Sequence, residues 1–375
     1  MNICLILISI LIIFLIIRDI LIIIDISYLS ETEMNFREIA LNLHKNNVVA
    51  DFHLDLAGEI YNRYLAGERG VIKNRYLANL KKGGFNIIVS SLYIDDIFLP
   101  EMALRAALDQ ISALMEDIES CDGEVVLVKT KEQLQNVIKE DKIGIILSFE
   151  GLEPIGRDIK LLRIFYELGV RAAGLVWSRR NYVADGCSFN PVEEGQRGGL
   201  TKFGVDVVRK MEEMSMLVDV SHLNDEGFWD VVKFTNKPFI ASHSNVRSIH
   251  GKMRNLTDEQ IKAIAERNGV IGINAYKTIA GFNTGEDPVK KLADHTEYMV
   301  KLVGASHVGY GFDLCGSYYD SEMKFKFEIN SSDGLASHEE AVLITEELLR
   351  RGISEEEVKL IIGGNFYRIF NDVLQ

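Results

Sequence analysis

The stretch "VVADFHLDLAGEIYNR", residues Val48–Arg63, joins an apolar, β-branched run to an amphipathic one and places His53 between Asp51 and Asp55. The first half is typical of a buried β-strand and the second of a helix. Ionised carboxylates are rarely buried without a partner. The stretch therefore predicts a strand whose end lies beside a cation, and a metal ion is the first candidate.

Short apolar runs of this kind recur along the chain and alternate with longer amphipathic stretches. The eight runs are "VVADF" (48–52), "FNIIVSSLY" (85–93), "IGIILSF" (143–149), "VRAAGLVW" (170–177), "MLVDVS" (216–221), "PFIAS" (238–242), "GVIGINAY" (269–276) and "HVGYGF" (307–312). This alternation is typical of βα units and a parallel sheet. It predicts an α/β fold, a closed (β/α)8 barrel of the TIM type. A ninth run, "EVVLV" (124–128), is interpreted as an extra strand or edge hairpin.

The alternative architecture is an open, doubly wound sheet, which usually carries a Gly-rich phosphate loop after its first strand. The sequence has no such loop there. We therefore expect residues 34–375 to form one catalytic barrel domain. Helix signals support the alternation: in "NLTDEQIKAIAERNG" (255–269), Thr257 is expected to cap the helix together with Gln260.

Residues 1–33 carry an apolar segment that precedes the predicted barrel domain. Positions 4–17 are almost all Leu, Ile and Phe, and Arg18 and Asp19 interrupt the segment. This span is shorter than the roughly 20 apolar residues of a transmembrane helix. Two interpretations stay open. Either residues 3–24 contact a membrane and anchor the protein, or translation starts at Met34 and the protein is cytoplasmic.

Charge and cysteine content exclude several classes of function. The 375 residues include 41 Lys and Arg against 55 Asp and Glu, a formal charge of −14, and no basic block is interleaved with aromatic residues. Nucleic acid is therefore not an expected partner. The four cysteines are far apart and form no Cys-x-x-Cys pair, so they indicate neither a thiolate zinc site nor a disulfide framework.

Residues with metal-binding side chains follow several of the predicted strands. They are His53 and Asp55 after the first, Glu150 after the third, His222 after the fifth, His243 after the sixth and Asp313 after the eighth. In a (β/α)8 barrel these positions share the C-terminal rim, where active sites are found. Three imidazoles with carboxylates suit one or two divalent metal ions, with zinc the default.

Each of these residues also has a structural explanation when it is taken alone. A single histidine after a strand is more often hydrogen-bonded than metal-bound, Glu150 could be a helix-start acid, and Asp313 could belong to a turn. The coincidence argues for a site, because three of only eight histidines fall at strand ends with three acids alongside.

With these residues in view, the chain resembles the membrane (renal) dipeptidase family of zinc metallopeptidases, in the amidohydrolase-like barrel group. The resemblance runs from about residue 40 to the C-terminus and rests on six motifs in order. They are "DFHLDL" (51–56), "SFEGLEPIG" (148–156), "GLTKFGVDVVRKMEEMSMLVDVSH" (199–222), "PFIASHSNVRSIHGKMRNLTDEQIKAIAERNGVIGIN" (238–274), "HVGYGFD" (307–313) and "GGNFYRIF" (363–370).

The resemblance implies two zinc ions bridged by Glu150. His53 and Asp55 would complete one site, and His222 and His243 the other. Glu150 and Asp313 would be the catalytic residues, with Asp313 as the acid/base that handles the proton of a metal-bridging hydroxide. Arg254 would bind the carboxylate of a dipeptide, a role that suits a planar guanidinium. Asp51 and Asp219 are expected to orient ligand histidines, and the alternative for either is a strand-end acid without that role.

One position departs from the family. The best-known animal members have a histidine after the fourth strand that contacts substrate, and the corresponding residue here is Trp177. We expect Trp177 to contact substrate as well, but an indole N–H can only donate a hydrogen bond and does not titrate. Ser178, Arg179 or Arg180 could compensate, or the preferred substrate differs.

The predicted function is metal-dependent hydrolysis of dipeptides, and the expected partners are small dipeptides and a second copy of the chain in a homodimer. The main alternative is another metal-dependent amidohydrolase that acts on N-acyl amino acids, cyclic amides or lactones. A barrel that only binds a ligand is a third interpretation, and the complete ligand set argues against it.

Overall fold

The computed structural model describes residues 35–189, 193, 195–321 and 333–374. The strands are β1 (Val49–Leu54), β2 (Phe85–Tyr93), β3 (Val125–Leu127), β4 (Ile143–Glu150), β5 (Val170–Gly174), β6 (Leu217–Asp219), β7 (Ile271–Ile273) and β8 (Val308–Tyr310). All eight lie within the runs predicted from the sequence or extend them by one or two residues.

Helices connect the strands. They are α1 (35–46), α2 (Leu56–Leu65), α3 (Leu77–Lys82), α4 (Ala103–Glu119), α5 (Lys131–Lys139), α6 (Leu161–Leu168), α7 (Lys202–Glu213), α8 (Asp225–Phe234), α9 (Asp258–Glu266), α10 (Lys277–Ala280), α11 (Pro288–Val303), α12 (Gly316–Ser321), α13 (Ala341–Arg350), α14 (Glu355–Lys359) and α15 (Asn365–Val373). Short 3₁₀ turns span Asp96–Phe98, Glu153–Ile155, Ala305–His307 and His338–Glu340, and π turns span Ile72–Tyr76 and Leu360–Gly364. Thr257 caps α9 and forms a capping box with Gln260, as its sequence predicts.

Parallel pairing arranges the strands in the order β6-β5-β4-β2-β1-β8-β7. The ring closes through a short segment between β6 and β7, in which Asp219 bridges to Ile240 and Ala241 bridges to Ile271. This segment is the predicted sixth strand, reduced to two bridging residues. The predicted (β/α)8 barrel is confirmed, and β3 is the predicted extra strand, paired to β4 outside the ring.

An apolar cluster fills the lower part of the barrel interior. Strands β1, β2, β4, β5 and β6 and the bridging segment contribute to it; its members include Ala50, Phe52, Ile87, Val89, Ile146, Ala172, Leu217 and Ile240. Phe366 and Phe370 of α15 pack against Phe52 and close this end, with 4.9 Å between the Phe52 and Phe370 ring centroids. The opposite end of the barrel, where the strands finish, is therefore left for polar side chains.

The predicted location is corrected by the structure. Among the helices of the described ranges, none is long and apolar enough to cross a bilayer. The segment expected to contact a membrane, residues 3–24, lies outside the described residues. Since no anchoring helix is found in the part of the chain that the structure describes, the membrane-anchored location is not retained.

A buried histidine on the outside of the barrel makes stability depend on pH. His44 of α1 contacts the Gly83 carbonyl through Nδ1 at 2.8 Å and the Thr345 hydroxyl through Nε2 at 2.7 Å. Burial lowers its pKa from 6.5 to about 4. Between these two values the unfolded chain binds more protons than the folded one, so stability falls as the pH decreases.

We expect the titration of His44 alone to remove roughly 2 kcal/mol of unfolding free energy between pH 7 and pH 5. Urea denaturation of the wild type and of His44→Gln at both pH values measures it, because the glutamine amide does not titrate. The wild type should lose more stability than the variant. Equal losses in the two proteins would show that His44 does not couple folding to protons.

Candidate metal centre

The structure brings all six predicted strand-end residues together at one end of the barrel. His53 is the last residue but one of β1 and Asp55 precedes α2, while Glu150 ends β4. His222 follows β6 by three residues, and Asp313 follows β8 by three. His243 lies two residues beyond the bridging residue Ala241. Most of these side chains are buried, so their polar atoms need partners.

Two of these residues adopt a backbone conformation that is uncommon for residues other than glycine. The φ angles of His222 and Asp313 are 68° and 57°. Backbone hydrogen bonds hold both: Cys187 N–H donates to the His222 carbonyl at 2.7 Å, and Asp313 N–H donates to the His53 carbonyl at 3.2 Å. Left-handed residues of this kind occur at sites where a side chain must point in a set direction.

Glu150 lies between the histidines and uses its two oxygens on different partners. Oε2 is 3.5 Å from His53 Nε2, whereas Oε1 is 2.9 Å from His222 Nε2 and 3.6 Å from His243 Nε2. A carboxylate in this position can bridge two ions.

The imidazole nitrogens are arranged for a shared cation. His222 Nε2 and His243 Nε2 are 3.0 Å apart, and His53 Nε2 is buried with no hydrogen-bond partner among the described residues. His53 Nε2 is also 3.9 Å from a carboxylate oxygen of Asp55 and of Asp313. Two overlapping groups, His53 with Glu150 and His243, and His53 with Asp55 and Asp313, have donor atoms within 4.8 Å of one another. Such a donor set fits divalent metal ions.

Burial and neighbouring charges shift the pKa values of the carboxylates in this cluster in opposite directions. Burial opposes ionisation of Glu150, yet the charge of His53 and the contacts with the imidazoles hold its pKa well below the usual value. Burial, followed by the charge of Glu150, raises the pKa of Asp55 to about 8. Burial also raises the pKa of Asp313. Three acids in one buried cluster thus compete for positive charge, which a divalent ion supplies.

The pKa values of His222 and His243 are lowered, whereas that of His53 is raised. Burial, helped by the positive charge of Arg254, lowers the pKa of His222 to about 3, and burial lowers the pKa of His243 well below its usual value. Burial also disfavours the charged form of His53, but the carboxylates of Glu150, Asp313 and Asp55 raise its pKa to about 10. Neutral imidazole is the form that binds metal, so His222 and His243 are ready to act as ligands.

Asp219 orients His243 through a serine. Ser242 Oγ donates to Asp219 Oδ2 at 2.5 Å and lies 2.6 Å from His243 Nδ1. Since the serine hydrogen is used on the carboxylate, Nδ1–H of His243 donates to Ser242 and the lone pair of Nε2 faces Glu150. Ser178 Oγ, 2.8 Å from Nδ1, supports His222. Asp219 thus orients His243 indirectly, through Ser242, a residue that the sequence analysis did not select.

Asp51 acts on the backbone, not on an imidazole ligand. Its Oδ1 accepts the N–H groups of His53 at 3.2 Å and of Phe312 at 2.9 Å, and its Oδ2 accepts from His338 Nε2 at 2.8 Å. Asp51 thereby ties the end of β1 to the residue before Asp313. The expectation that Asp51 orients a ligand ring is corrected to a role in placing two strand ends.

The carboxylate of Asp313 is held by two side chains that sequence reasoning did not select. Asn274 Nδ2 donates to Oδ2 at 2.9 Å, and Cys315 Sγ lies 3.0 Å from Oδ1 and 3.9 Å from Asp55 Oδ2. The signal for Cys315 was its position two residues past Asp313, the same spacing as His53 and Asp55. Ser91 of β2, which donates to Asp55, was missed in the same way.

The two predicted substrate contacts lie beside the cluster. Arg254 is buried, and its Nη1 donates to Ser244 Oγ at 2.7 Å, next to His243 in sequence. The ring centroid of Trp177 is 5.8 Å from that of His222.

A parallel barrel with imidazole and carboxylate donors at its C-terminal rim is typical of metal-dependent hydrolases. The sequence model of one such family, described as membrane dipeptidase (Peptidase family M19), matches residues 37–375. The chain therefore belongs to the membrane dipeptidase family of metallopeptidases, and the resemblance seen in the sequence is confirmed.

Individual relatives agree with this assignment. The dipeptidase verJ of Clonostachys rogersoniana is 29% identical over 273 residues, which are 72% of this chain and 66% of that protein. The crystal structure of a metallopeptidase called dipeptidase AC is similar at a TM-score of 0.77 and 25% identity, covering 88% of this chain and 99% of that chain. A metallopeptidase from Rhodobacter sphaeroides, liganded with a phosphinate mimic of L-Ala-D-Ala, shares the fold at a TM-score of 0.75 and 24% identity, covering 88% of this chain and 100% of that one.

The match spans 99% and 100% of the two solved chains but a smaller share of the related sequences. Among the related sequences, the matched part is 52% to 80% of the relative's own length.

The hydrogen bonds around Ser242 predict its effect on metal binding. We expect Ser242→Ala to weaken zinc affinity by roughly 10-fold to 100-fold, because His243 loses the acceptor that fixes its tautomer and ring orientation. Competition with a chromophoric chelator measures the affinity. Ser306→Ala, at an exposed position outside the centre, is the control, and equal affinities of the two variants would contradict the role of Ser242.

Proposed function

We propose that this chain is a dipeptidase that works with two zinc ions bridged by Glu150. The observation that carries the proposal is the convergence of three buried imidazoles on the two oxygens of one carboxylate. His53 and Asp55 would complete the site on the Oε2 side, and His222 and His243 the site on the Oε1 side. Mixed nitrogen and oxygen donors of this kind favour zinc.

The catalytic domain would be residues 34–375. In support, β8 pairs with β1, and α15 near the C-terminus closes the lower end of the same barrel.

Divalent ions supply Lewis acidity, which polarises a carbonyl and favours the ionisation of water. Asp313 would act as the acid/base, accepting the proton of the attacking water and passing it to the leaving amine. In support, its carboxylate is buried at the centre, and Asn274 and Cys315 hold its two oxygens. A carboxyl group whose pKa is raised by burial is suited to proton transfer near neutral pH.

Arg254 would bind the carboxylate of the substrate. Its Nε and Nη2 atoms are buried and have no hydrogen-bond partner within the described residues, while Nη1 is used on Ser244. A buried cation whose N–H donors make no hydrogen bond destabilises the fold unless a ligand accepts from them. A carboxylate offers two acceptors to a guanidinium, so a dipeptide with a free C-terminus fits this group.

Removal of a ligand side chain tests the metal and the reaction together. We expect Glu150→Ala and His222→Ala to lose dipeptide hydrolysis to background, and elemental analysis should show reduced zinc content. Chelation of the wild type should abolish activity and added zinc should restore it. Glu259→Gln, an exposed change on α9, should behave as the wild type.

The same assay separates the proposed reaction from its alternative. Dipeptides, N-acyl amino acids, cyclic amides and lactones are tested side by side. Full dipeptidase activity after metal depletion, or hydrolysis confined to the other substrates, would refute the proposal.

Replacement of Arg254 tests the substrate carboxylate. We expect Arg254→Lys to raise KM for a dipeptide by roughly 10-fold or more, because an ammonium cannot reproduce two parallel N–H···O bonds. Its effect on a dipeptide with an amidated C-terminus should be much smaller, and steady-state kinetics on both substrates measures the difference. Equal changes in KM for the two substrates would exclude this role.

A further inference from the structure

Three partly buried aromatic side chains line one sector of the rim beside the candidate metal centre. The ring centroid of Trp177 is 5.3 Å from that of Tyr93 and 5.7 Å from that of Phe189. The His222 ring is 5.8 Å from Trp177 and 6.0 Å from Phe189. We call Tyr93, Trp177 and Phe189 the aromatic wall. Each of its side chains is partly exposed, next to the residues expected to hold metal.

Arg179 holds two of the three rings in place. Its guanidinium carbon lies 5.2 Å from the Trp177 centroid and 5.5 Å from the Tyr93 centroid. The guanidinium is already engaged, since Nε donates to Glu153 at 2.9 Å and Nη1 to Asp96 at 2.8 Å. Arg179 therefore supports the wall and is occupied by its own acids, which leaves the exposed apolar ring surface as the available feature.

The wall and Arg254 occupy different sectors of the rim. Tyr93 is paired with Glu150 in the register of β2 and β4, and Trp177 lies three residues past β5. Arg254 is hydrogen-bonded to Ser244, just beyond the bridging segment between β6 and β7. In the ring order, Glu150 of β4 lies between the strand ends that carry Tyr93 and Trp177. A dipeptide with its carboxylate on Arg254 and its peptide bond over Glu150 would therefore extend its N-terminal residue toward the wall.

We propose that the aromatic wall is the binding site for the N-terminal side chain of the dipeptide and that it selects aromatic and branched apolar side chains. The inference rests on the proposed function and adds the class of substrate. Burial of a phenyl or isobutyl group against the rings is expected to change kcat/KM by roughly 10-fold to 100-fold relative to glycine. An acidic side chain would lose water there, while Arg179, the cation that contacts the wall in the described part of the chain, is already engaged with Glu153 and Asp96.

Kinetics on a substrate series tests the selection. Zinc-loaded wild type should hydrolyse Phe-Ala and Leu-Ala with a kcat/KM at least 10-fold above that of Gly-Ala and of Asp-Ala. Trp177→Ala should lower kcat/KM for Phe-Ala and Leu-Ala more than for Gly-Ala, so that the preference falls below 3-fold, and Trp177→Phe should keep most of the preference. Trp229→Ala, at the other tryptophan of the chain, which is 44% exposed on α8, is the matched control.

Fluorescence gives a second measurement that does not depend on turnover. The chain has only two tryptophans, so Trp229→Phe leaves Trp177 as the only indole. Titration of this zinc-loaded variant with phosphinate analogues of Phe-Ala and Gly-Ala should change the Trp177 emission, with tighter binding of the Phe-Ala analogue.

The outcomes separate this inference from the function on which it rests. Hydrolysis of Gly-Ala and Phe-Ala at equal efficiency, a preference for Lys-Ala or Asp-Ala, or a preference that Trp177→Ala leaves unchanged would overturn the aromatic wall and leave the dipeptidase function standing. Absence of hydrolysis of every dipeptide would overturn both.

Discussion

The burial of Glu150 among three imidazoles and two further acids is the constraint on which the rest of this structure depends. A carboxylate removed from water is stable only where positive charge and hydrogen bonds compensate it. Glu150 meets this condition by directing one oxygen to His53 and the other to His222 and His243. Side chains at the ends of several strands must therefore lie within a few ångströms of one another. A parallel barrel of eight strands brings them this close.

The two ends of the barrel differ: apolar packing stabilises the lower end, and the upper end carries the polar residues of the candidate metal centre. Phe52, Phe366 and Phe370 pack in an apolar cluster at the lower end. The upper end carries the acids, the histidines and the left-handed residues His222 and Asp313. Networks of hydrogen bonds hold these groups: Asp51 joins the ends of β1 and β8, while Asp219 and Ser242 set the orientation of His243. A rigid apolar base can offset the cost of this polar cluster.

The two arginines near the candidate metal centre also differ in how their charge is compensated. Arg254 is buried with donors left over, whereas the donors of Arg179 are taken up by Glu153, Asp96 and a backbone carbonyl. The first arrangement suits the binding of an anion, and the second supports the rings of Trp177 and Tyr93. Two arginines of the same charge are thus suited to different functions because their surroundings differ.

The amino-acid sequence by itself determined the order of strands and helices, the capping of α9 by Thr257, and the set of candidate metal ligands that follow the strands. These features are local, since periodicity, capping residues and strand ends are read within a few positions. The tertiary structure alone decided that the sixth strand shrinks to the bridging residues Ile240 and Ala241, and which oxygen of Glu150 faces which histidine. It also decided that Asn274 and Cys315 meet the carboxylate of Asp313. Such contacts depend on strand register and ring closure, which bring together residues far apart in the chain, and no local pattern encodes those distances.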